Sequence, residues 1–182
     1  MTIIFYNSHE KALVADKRIT YNNILQYTDL GEKIRINNSN TIAYAQCGSI
    51  INDEDFLVLD ILFQNWYYDQ NSNTEKAIKE FFDNLDTNDE PFCILIMTRS
   101  KLFYIAHKKT NSYWFINEMD TNTDFGYGSG EGPYYVCMLA KVKESDKIIK
   151  YIHLSTTTVS REYDKVKRTH LKALPKTRKI HE

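Results

Sequence analysis

The chain has 182 residues, of which 42% are hydrophobic and 26% are charged, and its formal net charge is −1. This length and composition predict one ordinary globular domain with a substantial core, and the near-zero charge excludes an overall electrostatic attraction to nucleic acid or anionic membranes. We expect a cytoplasmic protein without a signal peptide or membrane span, because there is no basic leader and no apolar run of about 18 residues.

The first part of the chain predicts strands. Short runs rich in β-branched and aromatic residues, separated by polar turns, indicate strands at residues 2–7, 11–16, 33–36 and 41–45. Residues 17–20 could extend the second of these strands. Residues 21–31 are polar and predict a loop.

Two helices are predicted next. Apolar residues recur at helical spacing between residues 53 and 69, which predicts an amphipathic helix. A second helix is predicted over 75–82, and Ser72 or Asn73 is expected to cap its first turn. An acidic, Asn-rich stretch ends this helical region.

The second half repeats the order of strands followed by helices. Three strands are predicted, at residues 92–98, 102–107 and 113–116. Four of the six glycines then fall within residues 126–132. Two helices are predicted after them, at residues 133–143 and 147–153, followed by a hydroxyl-rich loop at 155–160.

Segregated runs of strands and helices favour an α+β fold with antiparallel sheets over a parallel βαβ fold. Two sheets placed between two helical pairs would bury both faces of each sheet. We expect a single domain over residues 1–165 and a basic C-terminal end over residues 166–182, with no interdomain linker.

Cysteines and histidines give no sign of a metal site. Cys47, Cys93 and Cys137 are odd in number and far apart, without the CxxC spacing of zinc sites or the pairing of a disulfide framework. Cys93 and Cys137 lie in apolar runs and are expected to be buried thiols. The histidines also lack ligand spacing and are expected on the surface or as satisfied core residues: His9, His107, His153, His170 and His181.

Thr2 directly follows Met1, and methionine before a small residue is commonly removed. A free N-terminal threonine would carry its own general base, because the α-amine has a reference pKa of about 7.7–8.0 and can accept the hydroxyl proton. One residue could therefore supply both nucleophile and base.

Five segments, in this order and at this spacing, resemble the proteasome β-subunit family, which includes the bacterial HslV peptidase. They are Thr2, Val14-Ala15-Asp16-Lys17-Arg18-Ile19-Thr20, Glu32-Lys33-Ile34, Cys47-Gly48-Ser49 and Gly128-Ser129-Gly130. Members of this family are N-terminal nucleophile (Ntn) hydrolases. The resemblance spans residues 2–165 and implies a four-layer αββα sandwich with two antiparallel sheets between helical pairs.

The resemblance also implies catalytic roles. Thr2 would be the nucleophile after Met1 removal, and Lys33 the buried lysine that supports it. Asp16 matches the aspartate that pairs with this lysine. Gly48 matches the glycine whose backbone N–H binds the oxyanion, and Ser129 matches the serine that hydrogen-bonds near the α-amine.

The implied activity is that of a threonine peptidase, which cleaves amide bonds through an acyl-enzyme without metal or organic cofactor. The implied assembly is a homo-oligomeric ring with an ATPase partner in HslV-like systems, and by analogy Thr20, Ser49 and Ile50 would line the substrate pocket. One feature departs from the family: the loop at residues 154–160 contains hydroxyl groups but lacks the usual acid.

Simpler interpretations remain open at this point. Lys33 at a strand start could be a solvated charge, Asp16 a surface residue and Gly48 a strand terminator. Gly128-Ser129-Gly130 could bind an anion at a helix N-terminus, but it lacks the remainder of a P-loop. The whole protein could be an inactive member of the fold that acts by binding or assembly. Binding of nucleic acid by the basic residues of 165–179 is a third, weaker alternative.

Overall fold

A computed structural model describes residues 3–17, 19–20, 27–28, 32–48, 51–69, 71–85, 92–108, 113–128 and 149–154. These residues form a mixed α/β fold with two main sheets, a two-stranded ribbon and two helices. The strands are β1 (Ile3–Asn7), β2 (Ala12–Asp16), β3 (Ile19–Thr20), β4 (Tyr27–Thr28), β5 (Ile34–Ile36), β6 (Ile42–Cys47), β7 (Phe92–Thr98), β8 (Leu102–Lys108), β9 (Tyr113–Met119), β10 (Phe125–Gly128) and β11 (Lys150–Leu154). The helices are α1 (Asp53–Asp69) and α2 (Ser72–Asn84).

The smaller main sheet has the strand order β10-β1-β2-β11. β1 and β2 form an antiparallel hairpin in which Ile4 lies opposite Ala15. β11 pairs with β2 in the parallel direction and places His153 opposite Ala15 and Leu154 opposite Asp16. Residues from the two ends of the described chain therefore meet at the end of β2.

The larger sheet has the order β5-β6-β7-β8-β9 and is antiparallel throughout. Asn37 forms the turn between β5 and β6, because its side-chain oxygen accepts hydrogen bonds from the backbone N–H groups of Thr41 at 2.9 Å and Ile42 at 3.1 Å. Asn40 completes this turn with a φ of 56°, a left-handed conformation that asparagine tolerates. The turn therefore sets the register between β5 and β6, in which Ile34 lies opposite Ala45.

Both helices begin at asparagine caps. The Asn52 side-chain oxygen accepts a hydrogen bond from the Asp55 N–H at 2.8 Å at the start of α1, whose first turn is acidic, as the helix dipole favours. Asn71 caps α2 by accepting from the N–H groups of Asn73 and Thr74, both at 3.0 Å. The predicted cap at Ser72 or Asn73 is wrong by one or two positions, because Asn71 has the extended backbone of a cap.

Two apolar clusters form the core. The first lies between the two sheets and is made by alternate residues of their facing sides, among them Ile4, Leu13, Ala45 and Leu95. The second lies between the larger sheet and the helices; Phe63 and Phe82 belong to its helical side. The described residues thus form helix, sheet and sheet layers in this order. No helix in these ranges is long and apolar enough to cross a membrane.

The structure contains three strands that the sequence did not predict. Residues 150–154 form β11 and not the end of a helix over 147–153, and the parallel pairing of β11 with β2 means that the smaller sheet is not purely antiparallel. β10 occupies the start of the glycine-rich segment, and β4 lies in the predicted loop over 21–31. The physical reason is shared, since each strand is specified by a partner strand and not by its own periodicity.

Other strand and helix predictions are confirmed in the described ranges, including α1 over its full length and the strands from β6 to β8. The predicted helix at 133–143, the loop at 155–160 and the basic end at 166–182 lie outside the described residues.

Candidate active site

A buried ion pair joins the two sheets. Asp16 is the last residue of β2, and Lys33 directly precedes β5. The Lys33 ammonium donates to Asp16 Oδ1 at 2.8 Å, and the side chains are only 2% and 4% exposed for Lys33 and Asp16, respectively. Taking two charges out of water costs several kcal/mol for each ion, so a pair this deep persists only with close geometry and further hydrogen bonds.

Asp16 supplies one of those further hydrogen bonds. The same Oδ1 atom that binds Lys33 accepts the backbone N–H of Ile3 at 2.7 Å. The Ile3 nitrogen forms the peptide bond with Thr2, which itself lies outside the described residues. Asp16 therefore connects the lysine ammonium to the start of β1.

The peptide group between Lys33 and Ile34 is held on both sides. The Lys33 carbonyl accepts the N–H of Gln46 on β6 at 2.8 Å. The Ile34 N–H donates to Nε2 of His153 on β11 at 3.0 Å. Because Nε2 is an acceptor in this bond, neutral His153 carries its proton on Nδ1.

His153 is half-buried beside several charges. Burial lowers the pKa of His153 below its usual value of 6.5; Lys17 and Lys33 lower it as well, whereas Glu32 and Asp16 oppose the shift. Neutral imidazole is the form that the Ile34 hydrogen bond requires. Sequence reasoning had treated this residue as one of five unremarkable histidines, because its partner is a backbone group that no side-chain spacing reveals.

Gly48 follows β6 at the same end of the sheets. Its φ of 95° lies in the left-handed region, which glycine adopts without a Cβ penalty, so the chain can turn sharply there. The preceding residue, Cys47, is buried and feels the charges of both Lys33 and Asp16. Gly48 therefore lies next to Cys47, whose thiol is close enough to the Lys33–Asp16 pair to be influenced by its charges.

Cys47 is not suited to act as a nucleophile. Burial raises the pKa of its thiol to about 11, although Lys33 partly opposes this shift. Since the thiolate is the reactive form, the thiol is inert near neutral pH. Its cross-strand neighbour Cys93 is also buried, and burial raises its pKa as well, as expected for a core thiol.

Gln46 is a further polar group near this end of β6. Its side chain is buried, and Oε1 accepts the N–H of Ile51 at 3.2 Å. Among the buried side chains of the described residues, its Nε2 atom is the one without a hydrogen-bond acceptor. Within the same ranges, no group of three or more His, Cys, Asp or Glu side chains could hold a metal ion.

The predicted site residues divide into three groups. The structure brings Asp16 and Lys33 into direct contact and places Gly48 at the end of the neighbouring strand. Thr20 lies on β3, with only its backbone described. Thr2, Ser129, Ser49 and Ile50 are outside the described residues.

Comparison with solved structures finds several similar chains, two of which cover nearly the whole of this one. One is eukaryotic HslV from Trypanosoma brucei, with 12% identity, a TM-score of 0.46 and coverage of 91% of this chain and 89% of that chain. The other is the Anbu (Gly-1) mutant from Hyphomicrobium sp. strain MC1, with 9% identity, a TM-score of 0.48 and coverage of 97% and 99%. No protein-family model and no curated protein matches the sequence. At these identities and TM-scores, the similarities assign no activity or substrate to this chain.

Proposed function

We propose that the chain is an N-terminal threonine hydrolase that cleaves amide bonds of peptides or proteins. The observation that carries the proposal is the buried Lys33–Asp16 pair, tied through Asp16 Oδ1 to the Ile3 N–H. A buried ion pair is weak support for stability, because apolar residues of similar volume often stabilise as well. A buried lysine whose carboxylate partner also binds the backbone N–H of the residue after a potential nucleophile calls for a chemical explanation.

In the proposed reaction, removal of Met1 exposes the Thr2 amine. The amine accepts the hydroxyl proton while Thr2 Oγ attacks the substrate carbonyl, and Ser129 supports the amine. The Lys33 ammonium stabilises negative charge developing on Oγ, and Asp16 holds that ammonium in place. The Gly48 N–H binds the oxyanion, the amine donates its proton to the leaving group, and water then releases the acyl product.

The proposal includes a fourth layer in a single domain over residues 1–165. Ile3, Phe5 and Val14 point away from the core between the sheets, yet they are at most 1% exposed. The two described helices pack against the larger sheet and cannot cover them. We propose that the helix predicted at 133–143 provides this cover, which would complete an αββα sandwich.

The substrate pocket is proposed to include Thr20, Ser49 and Ile50. We further propose that the protein works in the cytoplasm as a homo-oligomeric ring, with an ATPase partner that delivers protein substrates.

Intact mass spectrometry before and after incubation with a peptide epoxyketone tests the chemistry, because this warhead reacts with both the hydroxyl and the free amine of an N-terminal threonine. We expect loss of Met1 and one adduct. Thr2→Ala should abolish the adduct, and Lys33→Met should slow it strongly while Met1 removal remains complete. Retained Met1, or an adduct that persists in Thr2→Ala, would disprove the proposal.

One observation bears on assembly, which the alternative of a non-catalytic protein of this fold has in common with the proposed hydrolase ring. Leu57, Ile61 and Tyr68 recur at helical spacing on α1 and are 52%, 60% and 80% exposed, with Val58 beside them. An apolar stripe of this kind marks an interaction surface, and we propose a second copy of the chain as its occupant. Sedimentation should show that Ile61→Glu dissociates the oligomer; an unchanged mass would exclude this face as the contact.

A further inference from the structure

We propose that His153 is a positioning residue that holds Lys33 against Asp16, and that its protonation switches the site off in acid. This inference rests on the proposed function for its catalytic consequence, although the positioning itself can be measured without catalysis.

The geometry concerns one peptide group. Its carbonyl, from Lys33, is fixed by Gln46 of the larger sheet, and its N–H, from Ile34, is fixed by His153 of the smaller sheet. Among the described strands, β5 is an edge strand whose partner is β6. The carbonyl of this peptide group faces β6, so the N–H on its opposite side points away from the sheet's own ladder. His153 satisfies a donor that would otherwise lack a strand partner.

The same strand also fixes the other half of the ion pair. β11 lies beside β2, with Leu154 opposite Asp16 and His153 opposite Ala15. β11 thus positions both partners of the ion pair. It pairs with β2 beside Asp16, and its His153 binds the peptide group that Lys33 shares with Ile34. A change at His153 should shift the Lys33 backbone relative to β11 and, with it, the ammonium relative to the Asp16 carboxylate.

Protonation of His153 would undo this arrangement. An imidazolium has N–H groups at both nitrogens, so Nε2 can no longer accept the Ile34 N–H. The charged groups around the His153 ring are Asp16 and Lys17 at the end of β2, and Glu32 and Lys33 before β5. The Tyr151 ring lies edge-on to the imidazole, with the two ring centroids 6.0 Å apart. The two carboxylates and the two ammoniums act in opposite directions on the pKa of His153, and burial, the largest influence, favours the neutral form.

The sign of the pH effect follows. The pKa of His153 is lowered in the folded protein, so its contribution to stability is complete above the unfolded value of about 6.5 and is lost as the pH falls through the lower folded value. The contact between Lys33 and Asp16 should therefore keep its geometry at neutral pH and lose it as the pH falls through the folded pKa of His153.

The functional test compares the rate of epoxyketone adduct formation in the wild type with two variants. His153→Gln keeps an acceptor near Nε2 but does not titrate in this range, and His153→Ala removes it. We expect His153→Ala to react on the order of 10–100-fold more slowly at pH 8, as a small misplacement of a catalytic group would cause, and His153→Gln to recover most of that rate. The exposed His9→Gln serves as the matched control.

The pH profile separates positioning from a general structural defect. Protonation of the α-amine alone gives a slope of about one in log rate against pH, and a second protonation at His153 raises it toward two. We expect the steeper limb in the wild type and His9→Gln, but not in His153→Gln. A slope near one in all proteins, or full activity of His153→Ala at pH 8, would overturn the inference.

An NMR titration distinguishes failure of this inference from failure of the proposed function. The Ile34 amide and the Lys33 side-chain signals should shift with the His153 imidazole as the pH falls, and neither should do so in His153→Gln. If the wild type forms no adduct at any pH but these signals titrate together, the positioning holds and the hydrolase proposal fails. Lys33 signals that stay constant through the His153 titration would refute the positioning.

Discussion

The Lys33–Asp16 pair permits a quantitative test by a double-mutant cycle. Removing one partner of a buried ion pair leaves an uncompensated charge and typically costs about 3–5 kcal/mol. We expect Lys33→Met and Asp16→Asn each to lower the free energy of unfolding by this amount. For a chain of this size the loss corresponds to a decrease in Tm of about 6–20 °C.

The double variant should be more stable than either single variant, because neither charge remains buried. The amide introduced by Asp16→Asn would still present an oxygen to the Ile3 N–H, which in the native protein is 2.7 Å from Asp16 Oδ1. Urea unfolding followed by circular dichroism at constant pH gives the three differences and their coupling energy. Single variants that each lose less than about 1 kcal/mol, as exposed pairs do, or additive losses in the double variant, would refute the description of this pair as buried and coupled.

Three further predictions concern other parts of the fold. The Tyr44 hydroxyl donates to buried Asp60 of α1 at 2.6 Å. Tyr44→Phe should therefore lower the free energy of unfolding in urea by about 1.5–3 kcal/mol, the usual range for a hydrogen bond to a charged group. A loss below about 0.5 kcal/mol would contradict such a bond. Asn71→Ala should destabilise α2 by about 0.5–2 kcal/mol, whereas Asn71→Ser should retain most of the cap, and equal losses would argue against capping. Alkylation of Cys47 in the folded protein should be slow at pH 7 and accelerate only as the pH approaches the thiol pKa of about 11. Rapid labelling at pH 7 would contradict the description of Cys47 as an inert buried thiol.

The fold could be predicted where local pattern and tertiary environment agree. The helical period of α1 and the mainly apolar runs of β6 and β7 determine those elements, because each segment has a face that must be buried. β11 could not be predicted in this way. Its strand form depends on the free edge of β2, a segment from the other end of the chain, and isoleucine and tyrosine in its sequence fit either a helix or a strand.

The candidate site was even less accessible from local sequence. A lysine before a short alternating strand has the pattern of a solvated charge, and only the resemblance to a known family paired Lys33 with Asp16; the structure shows them in contact. Their catalytic roles stay predictions. His153 gave no local signal, since its function in the fold depends on a backbone N–H of a different sheet.

The parallel pairing of β2 with β11 has a consequence for biosynthesis. β2 leaves the ribosome well before its partner strand β11, on the order of 10 s earlier at typical elongation rates. Contacts this distant in sequence also close slowly, since the loop entropy is lost before the contact is gained. During this interval the edge of β2 is unpaired, and the nascent chain lacks the contact that holds Lys33. Under the proposed function, Thr2 would therefore gain its full reactivity only after β11 has been synthesised and has paired with β2.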